Sequence, residues 1–428
     1  MIRFFNARII TFDGDRKQND RAVLEGELWT DGDKIRYVGP AREDRPVFER
    51  EIDLRGDLLI PGFKNAHTHT GMTFLRSFAD DLPLQTWLFD KVFPLEAKLT
   101  PDAIYAFTRL GFLEYLANGI TACFDMSYTR APFVQAVIDT SFRSVICGCK
   151  TQYDEDLEET ERCFEQYNGY HPLLSYRLGL HAEYTANEEM IRYLRSLVER
   201  YRAPFYIHNS ETRTETEECI ERHGCTPTAF FEREGLYQYG GGGFHCVWCS
   251  AEDRVIFRRN GLWTVTNPAS NAKLASGVAP LTDLVAEGNL LALGTDGPAS
   301  NNALDFFREM YLACVLQKLR CEDASAMSPE PVLDAACRGG ALAMGLPECS
   351  CLAPGMQADL TVIDLHRPNM QPIHNLVKNL VYSGNPSNIR LTMIAGKILY
   401  ENGEFFVGDS AEEIYASARR ETEKLVKA

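Results

Sequence analysis

Leu58-Leu59-Ile60-Pro61-Gly62-Phe63 runs directly into Lys64-Asn65-Ala66-His67-Thr68-His69. The apolar part reads as a strand. Two imidazoles at i and i+2 of an extended segment point to the same side. From the end of one strand they can reach a single metal ion, and neutral imidazole suits zinc and other late first-row metals. A bare His-x-His also describes a polar turn. Three later apolar runs end in the same manner, however: Phe205-Tyr206-Ile207-His208, Gly243-Phe244-His245 and Leu291-Ala292-Leu293-Gly294-Thr295-Asp296. Metal ligands at the ends of separate strands are what a catalytic barrel needs.

Working outward, residues 58–355 alternate β-like runs with amphipathic stretches. Strand candidates are Leu59 to His67, Ile120 to Met126, Phe142 to Cys149, Tyr176 to Ala182, Pro204 to Ser210, Gly243 to Trp248, Leu262 to Asn267 and Leu290 to Asp296. Helical patterns such as Pro101 to Ala117, Asn187 to Tyr201 and Leu304 to Leu319 lie between them. Eight such units imply a (β/α)8 TIM barrel. An open doubly wound sheet is the alternative, but no Gly-x-Gly-x-x-Gly follows the first strand. The run Gly240 to Gly243 reads as a flexible loop.

Both chain ends are β-rich. Arg3 to Phe12 and Ile35 to Val38 read as strands before the barrel; Ala358 to Asp364, Leu391 to Ala395 and Ile398 to Tyr400 read as strands after it. The simplest architecture joins the two ends, residues 1–57 and 356–428, into a small β-sandwich flanking the barrel of residues 58–355. Ala411 to Lys427 is expected to be an exposed C-terminal helix.

The 428 residues suit one large barrel with an appendage, and an apolar fraction of 45% suits a large core. A net charge of −16 disfavours non-specific attraction to nucleic acid or anionic lipid. No apolar run approaches the roughly 18 residues of a membrane span. The N-terminus shows no charged leader followed by a long apolar core, so a cytoplasmic location is expected. The 13 cysteines are scattered, and Cys246-Val247-Trp248-Cys249 lacks the second pair of a zinc ribbon, so buried free thiols are expected.

His67, His69, His208 and Asp296 are the candidate metal ligands. Three histidines and a carboxylate fill most of a zinc shell and leave a position for water. Singly each is an ordinary polar group at a strand end; their order on strands one, five and eight makes them a set.

The chain resembles the amidohydrolase superfamily. Within that superfamily it is similar to the branch of metal-dependent deaminases and chlorohydrolases, most nearly the 5-methylthioadenosine/S-adenosylhomocysteine deaminase family. The residues that carry this are Pro61 to His69, Leu75 to Leu84, Trp87 to Glu96, His208-Asn209-Ser210-Glu211-Thr212, His245-Cys246, Asn267 to Leu274, and Gly294-Thr295-Asp296-Gly297 with Ser300-Asn301-Asn302. The match spans nearly the whole chain. The resemblance implies one divalent metal on His67, His69, His208 and Asp296, with zinc first and iron or manganese also compatible. The fourth strand ends Leu178-Gly179-Leu180-His181, without the bridging Lys or Glu of binuclear relatives. Glu211 matches the proton-shuttling carboxylate. His245 matches the residue that hydrogen-bonds the nucleophile or the developing tetrahedral centre. His181 and Glu96 match substrate contacts, Glu96 being suited to ribose hydroxyls; Trp87 and Ser300 are further expected contacts.

The implied reaction is hydrolytic deamination of an aminopurine nucleoside: adenosine, 5′-deoxyadenosine, 5-methylthioadenosine or S-adenosylhomocysteine. Asp296 takes a proton from the attacking water and Glu211 protonates the ring nitrogen. A free purine base such as guanine, or chloride or alkylamine removal from a triazine, are the alternatives on the same site. Where some relatives hold the amino-acid tail with arginines, this chain has Gly148 and the neighbourhood of Asp156, and residues 150–161 hold six carboxylates. An uncharged 5′ group is therefore expected. The resemblance also suggests a homodimer or homotetramer.

Overall fold

Gly62 divides the first apolar run between two sheets. In the computed structural model, which describes residues 1–14, 23–82, 84–126, 130–154 and 156–427, Leu58–Pro61 pairs with strands from both chain ends. The next strand, Phe63–Thr68, opens the barrel. The expected single strand from Leu59 to His67 is thus two. The chain steps from one sheet to the other at the one residue without a side chain, where a Cβ would lie 2.1 Å from Thr121 Cγ2.

Eight parallel strands then follow in order: β1 (Phe63–Thr68), β2 (Ile120–Asp125), β3 (Arg143–Cys147), β4 (Leu174–Gly179), β5 (Phe205–Asn209), β6 (Gly241–His245), β7 (Trp263–Thr266) and β8 (Leu290–Leu293). All eight correspond to the candidates read from the sequence. Beyond β8, the Asn65 side chain closes the seam to β1: its Oδ1 accepts from Thr295 N (2.9 Å) and its Nδ2 donates to Thr295 Oγ1 (2.7 Å). Asp296 N donates to His67 O at 3.0 Å, fixing two candidate ligands to each other through the backbone.

The glycine run is a strand, not a loop. Gly241, Gly242 and Gly243 are the first residues of β6. A Cβ on Gly241 would stand 1.9 Å from Phe205 O, and one on Gly242 2.3 Å from Trp263 O. Bare backbone is what lets β6 sit between β5 and β7.

The helices begin where their caps predict. Thr100 Oγ1 accepts from Ala103 N ahead of Pro101–Ala117, and Asn187 caps Glu188–Tyr201. Thr212 and Glu215 form a reciprocal capping box at the start of Arg213–His223, in the loop that follows β5.

Both chain ends join in one mixed sheet. Its order runs Glu404–Phe405, Lys397–Glu401, Ile389–Ile394, Leu360–Ile363, Leu58–Pro61, Ile2–Ile9, Leu24–Asp31 and Lys34–Gly39, with Arg50–Asp53 also paired to Ile2–Ile9. Leu58–Pro61 is the seam between the halves. A buried ion pair, Arg143 Nε to Asp359 Oδ2 at 2.6 Å, ties barrel to sheet. The C-terminal helix Ala411–Lys427 is only half exposed, since Ala418 and Leu425 pack against Ala103 and Phe107 of the helix after β1.

All thirteen cysteines are free thiols. Among the described residues, no helix is long and apolar enough to cross a membrane.

Candidate active site

Four side chains converge at the ends of β1, β5 and β8. His67 Nε2 lies 3.2 Å from His208 Nε2, and Asp296 Oδ1 lies 3.5 Å from both His67 Nε2 and His69 Nε2. His67 is wholly enclosed, its ring stacked on Phe244 at 4.0 Å.

Two backbone carbonyls set the imidazoles. His69 Nδ1 is 2.6 Å from Met126 O and His208 Nδ1 is 2.7 Å from His181 O. A carbonyl only accepts, so in each ring the proton resides on Nδ1 and the Nε2 lone pair faces the centre. Burial pushes the His67 imidazole down to about 3 and holds His208 well below its ordinary value, so both rings are neutral. Burial works to raise Asp296, but the hydrogen bond to His67 and the surrounding histidines bring it well below its ordinary value. Ring nitrogens 3.2 Å apart with an ionised carboxylate 3.5 Å from His67 and His69 form a nitrogen–oxygen donor set that fits a divalent cation.

Asp296 is held on its far side. Oδ2 accepts the hydroxyls of Ser270 and Ser300, each at 2.6 Å, which leaves Oδ1 for the histidines. Ser300 does line the pocket, but its hydroxyl is engaged with the carboxylate. Several strand-end residues carry left-handed backbone: Ser210 (φ 51°), His245 (φ 68°), Cys246 (φ 51°) and Asp296 (φ 60°). Non-glycine residues in that region cost about 1–3 kcal/mol each and cluster at functional sites; here they turn side chains inward at the rim.

Glu211 follows β5 and His245 ends β6. Their Oε2 and Nε2 atoms are 3.9 Å apart. His245 Nδ1 pairs with Asn271 Oδ1 at 2.8 Å, which directs Nε2 into the pocket. Burial lowers the His245 imidazole, yet the Glu211 and Asp296 carboxylates outweigh it and raise it overall. Burial raises the Glu211 carboxyl, with Asp296 adding to the effect and His245 opposing it. Glu215 positions this loop by accepting from the backbone N–H groups of Ser210, Glu211 and Thr212 at 3.1, 2.7 and 3.3 Å.

These groups line a narrow pocket of about 50 Å³ with Trp87, Glu96, His181, Tyr184 and Leu274. His181 Nδ1 sits 3.1 Å from Thr185 Oγ1, and burial takes the ring down to about 3. Glu96 is half-buried as a residue, but its Oε2 is fully shielded and has no hydrogen-bond partner; burial pushes its carboxyl up to about 8. Every site residue expected from the sequence lines this pocket except His67, which is wholly buried. Sequence reasoning assigned no role to Ser270, Asn271, Glu215 or Tyr184. The first two lie in the quoted Asn267 to Leu274 segment, where spacing alone cannot show what a hydroxyl or amide reaches. Of the sequence features singled out earlier, Pro83 and Glu155 lie outside the described residues.

Through His69, Met72, Phe93, Glu96 and Met126 the pocket adjoins a second cavity of about 460 Å³. The acidic stretch beside it is mostly paired. Glu159 meets Lys150 at 2.5 Å, Asp156 and Glu158 meet Arg162, and Glu161 holds Arg200, Tyr193 and Tyr201. Among its described carboxylates only Asp154 lines the cavity.

The sequence pattern of the amidohydrolase family matches residues 58–399. A 5-methylthioadenosine/S-adenosylhomocysteine deaminase of Nitratidesulfovibrio vulgaris is 39% identical, the match covering 93% of this chain and 92% of that protein. A 5′-deoxyadenosine deaminase of Methanobrevibacter smithii is 34% identical, with 96% of each chain covered. Among solved structures, an adenosine deaminase from Xanthomonas campestris with bound zinc superposes with a TM-score of 0.93 at 29% identity, covering 100% of this chain and 99% of that one.

Proposed function

This chain belongs to the amidohydrolase family, and from that membership we propose that it is a metal-dependent hydrolytic deaminase of an adenosine-type nucleoside. It converts the 6-amino group to a carbonyl and releases ammonia. The observation that carries the reading is the meeting of Glu211 and His245, 3.9 Å apart, in the same narrow pocket as the His69, His208 and Asp296 donors. The names of the nucleoside deaminases it resembles support the substrate class.

His67, His69, His208 and Asp296 would hold one divalent cation, zinc being the proposed one. Bound there, it acts as a Lewis acid that makes hydroxide available from water near neutral pH. The chain's own groups do the rest. Asp296 accepts the proton that the attacking water gives up. Glu211, kept protonated more readily by its burial, delivers a proton to the ring nitrogen beside the amino-bearing carbon. His245, fixed by Asn271, donates a hydrogen bond to the oxygen as it bonds to that carbon. Asp296 passes the water's proton on to the amino nitrogen, the hydroxyl proton returns to Glu211 as the carbonyl forms, and the C–N bond breaks to release ammonia. Glu96, with its unpartnered Oε2, accepts from the ribose hydroxyls, while Trp87 and His181 confine the base.

Ammonia release should be measured over adenosine, 5-methylthioadenosine, 5′-deoxyadenosine, S-adenosylhomocysteine, guanine and a chlorotriazine, with metal content determined on the same sample. Release from the nucleosides alone is the expected result. Preferential turnover of guanine or of the triazine would overturn it.

A further inference from the structure

Glu309 is wholly buried, yet neither of its hydrogen-bond partners is a cation. It lies in the first turn of the helix Phe306–Cys321, beyond the loop that follows β8. Its two oxygens reach two different segments of the chain. Oε2 accepts from Ala269 N at 2.9 Å, and Oε1 accepts from Asn301 Nδ2 at 2.7 Å.

Both segments carry groups that hold the reacting side chains. Pro268–Lys273 is a short helix after β7, and Asn267 ahead of it makes no side-chain cap. The Glu309 carboxylate satisfies that helix start from outside. The next two residues of the helix face the pocket: Ser270 donates to Asp296 Oδ2 at 2.6 Å, and Asn271 Oδ1 pairs with His245 Nδ1 at 2.8 Å. Pro298–Asn301, after β8, puts the Ser300 hydroxyl on the same Asp296 oxygen at 2.6 Å. Asn301 also donates to Thr295 O at 2.6 Å, one residue before Asp296.

The position demands two acceptors. The Asn301 amide spends both N–H groups, on Thr295 O and on Glu309, and its Oδ1 accepts from Arg308, so it cannot turn over. Ala269 N is a backbone donor. Glu309→Gln keeps the size but sets an N–H group against one of these donors, and a buried donor without a partner is costly. Glu309→Asp keeps both acceptors, one methylene short.

We propose that Glu309 is a positioning residue for the reaction, setting the Asp296 carboxylate and the His245 imidazole together through the two short helices it bridges. The proposal rests on the deaminase reading and deepens it.

The test is the zinc dissociation constant, kcat and KM for adenosine, and Tm in Glu309→Gln, Glu309→Asp and Gln317→Ala. Gln317, on the same helix, is buried and donates to Ala279 O at 2.8 Å without lining the pocket, so its loss reports stability alone. Glu309→Gln should weaken zinc binding about 10–100-fold and lower kcat by roughly tenfold or more, with KM little changed. Glu309→Asp should recover part of both. Gln317→Ala should lower Tm and keep zinc affinity and kcat. Wild-type zinc affinity and kcat in Glu309→Gln, a loss confined to KM, or equal losses in Gln317→Ala would each overturn the proposal. Where Glu309→Gln does not fold, Glu309→Asp decides: weakened zinc binding and lowered kcat support it, and wild-type values overturn it. Absence of ammonia release in the wild type overturns the deaminase reading instead, and zinc affinity still decides whether Glu309 sets Asp296.

Discussion

Ser270 donates its hydroxyl to Asp296 Oδ2 at 2.6 Å, on the side of the carboxylate turned away from His67 and His69. Ser300 does the same from the loop after β8. Two donors on one oxygen fix the plane of the carboxylate and aim the other oxygen at the histidines. A hydrogen bond to a charged group contributes about 1.5–3 kcal/mol, so Ser270→Ala should lower kcat by roughly tenfold or more, with KM for adenosine little changed. The Ser270→Ala, Ser300→Ala pair should lose more than either alone. A KM effect without a kcat effect in steady-state assays would show that the serines act on substrate instead of on Asp296.

Glu211 stands 3.9 Å from His245 and is not among the proposed metal donors His67, His69, His208 and Asp296. Glu211→Gln should therefore retain a full equivalent of metal while kcat drops about 10²–10⁴-fold, the range of general acid–base contributions. Metal analysis beside turnover decides it, and undiminished turnover removes Glu211 as the proton carrier.

Much of this was legible because buried parallel strands are continuous apolar runs that end at polar rims. The runs ending in His208, His245 and Asp296 marked both the barrel and its rim. What stayed hidden has physical causes. The run from Leu58 onward carries no mark of its passage between sheets, because both sheets bury it completely. Ser270, Asn271 and Glu215 carry nothing in the sequence that says what they reach, and only the fold shows that the first two face groups 26 residues away. Glycines at the start of β6 look like a loop under any propensity scale, since propensity is blind to a neighbouring backbone pressed against the strand.

That last point is testable by itself. Gly242→Ala would place a Cβ 2.3 Å from Trp263 O, a backbone atom that cannot swing away. Overpacking of this kind typically costs about 1–3 kcal/mol. Gly224→Ala, at a helix end with open space around the Cβ, gives the comparison: its cost is the left-handed φ of 72° alone. Denaturant midpoints should put Gly242→Ala well below the wild type and below Gly224→Ala. Equal midpoints would mean that β6 has room for a side chain.

The donor cluster also predicts coupling between metal and stability. His67, His208 and Asp296 are all buried, and their polar atoms crowd within 3.2–3.5 Å of one another, where a cation would satisfy them together. A ligand that binds only the folded state stabilises it by RT ln(1 + [L]/Kd), about 4 kcal/mol at a thousandfold excess over Kd. Chelation should abolish turnover and lower Tm by several degrees, and zinc should restore both. His208→Ala should lower metal occupancy and make Tm insensitive to added zinc. A Tm indifferent to chelation in the wild type would count against a metal at this place.

Glu96 sets a pH dependence whose sign follows from its burial. Its carboxyl is pushed from 4.5 up to about 8 in the nucleoside-free protein. Between those values the folded chain keeps a proton that the unfolded chain gives up, so this residue lowers stability as pH climbs from about 4.5 to about 8. Glu215 and Glu309 shift in the same direction, so the contribution of Glu96 is the difference in slope between wild type and Glu96→Gln. Ribose hydroxyls donating to Oε2 favour the ionised form. Nucleoside binding at pH 7 should then release up to one proton, read by calorimetry in two buffers of different ionisation enthalpy. Affinity should rise between pH 6 and 8. In Glu96→Gln the release should vanish and the affinity should become flat with pH. Proton uptake on binding, or a release that persists in Glu96→Gln, would show that the ribose is held elsewhere.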